Sequence, residues 1–231
     1  MHDCIFCRAF GTLVAVEPII PESLGLDQVT LEYQVCKGCQ RYFGQELEAF
    51  VLTQTPVALW RVKAIDLPPP APSPRSCGVG CDCFLSVEEL SSVSRFFLKI
   101  GLELVASLDA AGVRQARFDA ARNYARFEMG EAWPLFYGVA EQLEGQRWFE
   151  PSESGVVECL EYEYELLSVE DDCFLHFSMG GEHWLISLTQ RYPELRLREM
   201  FPHLELNLLW HPTCPSLTDG REQPAPSRRA S

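Results

Sequence analysis

The chain has 231 residues, 47% of them apolar, which is enough to bury a core and too apolar for a disordered polymer. Its net charge of −14 disfavours the counterion-driven grip on phosphates that non-specific nucleic-acid binding requires. No stretch reaches the roughly 18–20 apolar residues of a membrane-spanning helix, and Met1-His2-Asp3-Cys4 carries no secretory signal, so the expected compartment is the cytoplasm.

Residues 1–56 read as a small metal-binding module. Cys4-Ile5-Phe6-Cys7 and Cys36-Lys37-Gly38-Cys39 are two CxxC pairs. A two-residue spacer lets both sulfurs of a pair face one ion at about 2.3 Å, and two pairs complete a tetrahedron. In a reducing compartment such cysteines are not disulfide staples, and a redox CxxC needs a βαβ context that is absent here. The alternative is simply buried cysteines. Zinc is the expected ion, with Cys4, Cys7, Cys36 and Cys39 as ligands. The second pair opens a predicted helix that buries Tyr42, Phe43, Leu47, Phe50 and Val51. A knuckle, a hairpin and a helix bearing the second knuckle form the ββα-like treble-clef arrangement. The segment holds seven acids (Asp3, Glu17, Glu22, Asp27, Glu32, Glu46, Glu48) against three bases (Arg8, Lys37, Arg41). It is acidic even before four thiolates are added.

Residues 57–85 form a connection. Val57 to Ile65 has some strand character, and Asp66 to Pro74 is proline-rich and reads as an extended linker. Cys77, Cys81 and Cys83 follow. Three thiols so close can ligate a second metal with Cys159, Cys173 or a histidine, but no second CxxC partners them, and we read a glycine-rich loop of reduced thiols. Residues 86–211 read as a larger α+β region. Ser86-Val87-Glu88-Glu89 fits a capping box. Leu90, Val93, Phe96, Phe97, Ile100, Leu104 and Leu108 then recur at helical spacing, with Gly112 placed to end that helix. A second helix is predicted over Phe118 to Phe127, stopped by Met129-Gly130.

Alternation over Glu161 to Leu166 predicts a strand with one wet face, and Cys173 to Phe177 and Trp184 to Leu188 predict two more, joined through Gly180-Gly181. The acids Glu158, Glu161, Glu163 and Glu165 read as a solvated face. Residues 212–231 are rich in Pro, Ser, Arg and Ala and read as a disordered tail. The fold class expected is therefore α+β, a zinc module followed by a larger region.

One family resemblance stands out. Cys4-Ile5-Phe6-Cys7, Glu17-Pro18-Ile19-Ile20-Pro21-Glu22-Ser23-Leu24-Gly25 and Val35 to Gly44 with Leu47-Glu48 together resemble the CxxC-containing HNH endonucleases over about residues 3–52. That resemblance implies a histidine general base and a second metal such as Mg²⁺ that stabilises the departing oxygen. Here Pro18 stands at the histidine position and has no titratable group. Gln40 stands at the asparagine position, one methylene longer. Glu17 and Glu48 still offer carboxylates to a hard cation. His2 precedes the first knuckle and reads as part of a disordered terminus, while His176, His183, His203 and His211 belong to the second region. The expected function is a catalytically degenerate, zinc-binding HNH-like protein that binds or regulates, with protein as its partner class. The competing expectation is a metal-dependent nuclease with a substituted base.

Overall fold

The protein is described by a computed structural model over residues 3–24, 29–55, 57–58, 86–139, 162–179, 182–189, 194–202, 204 and 207–208. Short elements come first. β1 (Glu17–Pro18) and β2 (Thr30–Leu31) pair antiparallel, with Glu17 opposite Leu31. Leu13 bridges to Cys36 at the start of α1 (Lys37–Tyr42). The helix runs on through a wider π-type segment at Phe43–Glu48 into α2 (Ala49–Gln54). Phe43 and Leu47 on the wide turns are buried, and the Phe43 ring meets Phe6 of the first knuckle edge-on at 4.5 Å.

The second half is built on α3 (Val87–Leu108). Its capping box forms as the sequence predicts: the Glu89 N–H donates to Ser86 Oγ at 3.2 Å, and the Ser86 N–H donates to Glu89 Oε2 at 2.6 Å. These two bonds satisfy donors that helix geometry otherwise leaves open. Two expectations at its far end fail. The helix stops at Leu108, which is 80% exposed, because Asp109 takes over the chain. Asp109 Oδ1 accepts the Ala111 and Gly112 N–H groups and starts a 3-10 turn at Gly112–Arg114, so Gly112 is not a left-handed helix end. α4 (Asp119–Phe127) ends instead through Glu128 at φ 55, one residue ahead of the predicted Met129-Gly130 stop.

β3 (Phe136–Val139), β4 (Tyr162–Val169), β5 (Asp172–Met179) and β6 (Glu182–Ser187) follow, then α5 (Glu194–Met200) and β7 (Asn207–Leu208). The sheet order is β4-β5-β6-β3-β7, antiparallel throughout. The three predicted strands are present, each longer or shifted by one or more residues. β3, α5 and β7 have no counterpart in the sequence reading.

Alternation gives the sheet two faces. Cys173, Leu175, Phe177, Trp184 and Ile186 join the core around α3, where the Phe97 ring stacks on Trp184 at 5.3 Å. Phe136, Phe174 and Leu185 cluster with Leu197 and Phe201 on the other side. Gly101 lets α3 approach the sheet: a Cβ there would meet Leu188 Cδ2 at 2.6 Å. The chain is thus α+β. One buried apolar cluster runs from Cys4 and Phe43 through α3 to Leu188, so the N-terminal segment and α3 share a core.

Val57 and Ala58 sit in a 3-10 turn rather than a strand. The rest of that stretch, the linker, Cys77, Cys81, Cys83, Glu158, Cys159, Glu161, the Gly180-Gly181 turn and the tail lie outside the described residues. No helix among the described residues is long and apolar enough to cross a membrane.

Candidate functional site

The cysteines of the two CxxC pairs converge. Cys4 to Cys7 form a turn closed by the Arg8 N–H donating to the Cys4 carbonyl at 3.0 Å. Arg8 leaves this turn at φ 59, a left-handed conformation costly for a side chain with a Cβ. Its guanidinium is held in compensation by Asp3 at 3.3 Å and the Arg114 carbonyl at 2.6 Å. On the other arm, Cys36 is the N-cap of α1 and accepts the Cys39 N–H at 3.5 Å. The Cys36 N–H donates to Cys4 Sγ at 3.4 Å, tying one knuckle to the other.

All four sulfurs lie within 4.8 Å of one another, with Cys7 Sγ and Cys36 Sγ 3.6 Å apart. Ligands at about 2.3 Å from a tetrahedral ion stand about 3.8 Å from each other, so the cluster has the dimensions to hold a metal ion such as zinc. Cys4 and Cys39 are buried, while Cys7 and Cys36 are partly exposed. The Cys39 thiol donates to the Cys4 sulfur and holds Cys4 down at about 4, and the same contact, with burial, pushes Cys39 up. Arg126 of α4 lies beside Cys39 and favours its thiolate, with its guanidinium 4.0 Å over the Tyr42 ring.

A second cluster gathers around Glu17 and Glu48, two of the acids singled out in the sequence. Glu17 on β1 is 5% exposed, and its Oε2 has no hydrogen-bond partner. Pro18 beside it is half-buried, and Gln40 is half-buried on α1. Lys99 from α3 enters this space with its side chain 1% exposed. The ammonium lies 2.9 Å from Glu48 Oε1 and 2.9 Å from Glu103 Oε2, and Glu103 is fully buried one turn along the same helix. Lys99 Nζ also donates to the Ile19 carbonyl at 2.9 Å and the Pro18 carbonyl at 3.4 Å. The structure therefore brings Glu17 and Glu48 to one cluster, and adds Lys99 and Glu103, which sequence reasoning missed. The available signal was two charges four residues apart inside an otherwise apolar run, Phe96 to Leu104.

The electrostatics follow from burial. Desolvation alone would push the Lys99 ammonium down, but Glu103, Glu48 and Glu17 outweigh it and hold the group above its ordinary value. Burial raises Glu103 well above the carboxylate range. Burial likewise pushes Glu17 up to about 7, against the attraction of Lys99 and with help from Glu48. Three carboxylates around one ammonium would leave a buried excess of two negative charges, which low dielectric penalises strongly, so the cluster retains protons instead.

This gives a pH dependence with a defined sign. Glu17 binds its proton more tightly folded than unfolded, where its value is 4.5. Its stabilising contribution is complete below about pH 4.5 and is lost as pH rises through about 7, a loss of roughly 3 kcal/mol at most. Glu17→Gln removes that slope. Urea midpoints measured from about pH 5 to pH 8 should fall for the native protein relative to the variant.

Among the described residues the remaining candidates are not assembled into a third site. Glu163 and Glu165 are exposed on β4. His176 Nε2 and His183 Nδ1 share a hydrogen bond of 2.9 Å across β5 and β6, far along the chain from either cluster. Cys173 is packed in the core, and His2, His203 and His211 lie outside the described residues. No family model, curated protein or solved structure matches the chain.

Proposed function

We propose that this protein is a zinc-stabilised scaffold with a degenerate HNH-type site, acting by binding protein rather than by cleaving nucleic acid. The observation that carries the reading is the Lys99 ammonium, held at 2.9 Å by both Glu48 and Glu103 beside Pro18. HNH chemistry needs a titratable base and a hard cation at that place. This chain offers a proline in one position and fills the other with its own cation. Loss of a general base alone removes about 10²–10⁴ in rate.

The order of a knuckle at Cys4–Cys7, the β1–β2 hairpin and a helix opening on Cys36–Cys39 supports a treble-clef reading of the N-terminal segment. Four thiolates at these spacings favour zinc over harder ions. Charge supports a protein partner. The net charge is −14, and Arg8, Arg95, Arg114 and Arg122 are engaged in internal hydrogen bonds or ion pairs rather than presented as a phosphate-gripping face.

Two measurements test the proposal together. Purified protein should contain about one equivalent of zinc, and less than half an equivalent would sink the metal reading. Supercoiled plasmid incubated with the protein and Mg²⁺ or Mn²⁺ should remain uncut. Nicking that disappears in Glu17→Ala would establish the competing reading, a working nuclease with a substituted base.

A further inference from the structure

Within each CxxC pair one cysteine is buried and the other is partly exposed, and the two partly exposed ones belong to different pairs. Cys4 and Cys39 are buried, whereas Cys7 and Cys36 are partly exposed and lie 3.6 Å apart. We propose that Cys7 and Cys36 are the oxidation site of this centre, joined in a disulfide by a peroxide-class oxidant with release of the bound metal. The inference rests on the zinc reading, since the metal is what leaves.

The chemistry balances with peroxide as the only co-reactant. One of the two exposed thiolates attacks hydrogen peroxide, giving a sulfenic acid and hydroxide. The second thiolate displaces hydroxide from that sulfur and forms the S–S bond. Two hydroxides take up two protons and leave as water, and two electrons have passed from sulfur to oxygen. The sulfurs close from 3.6 Å to about 2.05 Å. Cys4 and Cys39 remain as two thiolates on an ion that prefers four ligands, so the metal is lost. Spacing alone would nominate Cys4–Cys7 or Cys36–Cys39, but the resolving thiolate must stand close to the oxidised sulfur, and the two partly exposed cysteines stand 3.6 Å apart across the knuckles. A cross-knuckle bond also keeps the N-terminal turn stapled to α1, which makes the oxidised form recoverable by thiol and metal.

The test uses the full-length, zinc-loaded protein, treated with hydrogen peroxide, quenched with an alkylating agent and digested with trypsin without reduction. Cleavage after Arg8, Lys37 and Arg41 places Cys4 and Cys7 in one peptide, Cys36 in the next and Cys39 in the short peptide 38–41. The expected first product joins the peptides ending at Arg8 and Lys37, with fragmentation placing the bond on Cys7. Zinc release, read with a chromogenic chelator, should match the disulfide one for one, and dithiothreitol with zinc should reverse both. A first bond inside a CxxC pair, a first bond at any other pair of the ten cysteines, or zinc retained through Cys7–Cys36 closure overturns the proposal. Zinc content measured before oxidation tests the metal reading separately, because the linkage map then stands on its own.

Discussion

Lys99→Met should destabilise the protein by about 3–5 kcal/mol, the cost of stripping one partner from a buried ion pair. Methionine keeps most of the lysine stem, so packing of α3 against the N-terminal segment survives and the loss is electrostatic. What remains is Glu48 and Glu103 without a cation, and the Pro18 and Ile19 carbonyls without a donor. Each buried, unsatisfied acceptor adds to the penalty. The double variant Lys99→Met with Glu103→Met should recover a large part of that loss, because replacing both members of a buried pair by apolar groups is often neutral. Urea unfolding of the native protein, both single variants and the double variant closes the cycle. A Lys99→Met cost below about 1 kcal/mol would mean that the ammonium is not buried among carboxylates in solution.

What the sequence revealed was local, and what it hid was distant. The cysteine centre was legible because ligand chemistry imposes a two-residue spacer within each pair. The start of α3 was legible because Ser86 and Glu89 satisfy each other's backbone within one turn. β4 was legible from its alternation of charged with apolar residues, and β5 and β6 as short apolar runs that are buried on both faces. Lys99 reaches carbonyls some 80 residues away in sequence, and no periodicity encodes that contact. The one local hint is a lysine and a glutamate amid Phe96 to Leu104, an anomaly that burial must explain.

Gly112 was misread for a different reason. Its sequence position suits a helix end, but Asp109 captures the Ala111 and Gly112 N–H groups first and closes the helix earlier. β3 is four residues long and owes its place to pairing with β6, with Tyr137 opposite Trp184, across more than 40 residues of chain. Short strands of that kind carry no signal of their own.

Removing the metal should have a larger effect than any single substitution outside the cysteine centre. Binding in small zinc modules is worth on the order of 10–16 kcal/mol and is folding energy, because the unfolded chain has no preformed site. In this protein the centre ties the first knuckle to the start of α1. The Cys36 N–H bond to Cys4 Sγ, the Leu13–Cys36 bridge and the α1 N-cap all meet at the sulfurs. Four thiolates drawn within 4.8 Å repel one another once the cation is gone. The loss should also travel, because Pro18 and Ile19 accept from Lys99 and the N-terminal segment shares its buried cluster with α3. Exhaustive chelation, or Cys39→Ser, should lower the melting temperature by more than about 10 °C, since each kcal/mol shifts a chain of this size by roughly 2–4 °C. Hydrogen exchange should show lost protection first in β1, β2 and α1, then in α3 around Lys99, while β4 to β6 remain protected. A melting curve unchanged after complete metal removal would mean that the apolar cluster alone holds the N-terminal segment, and the four sulfurs would be core residues that happen to meet.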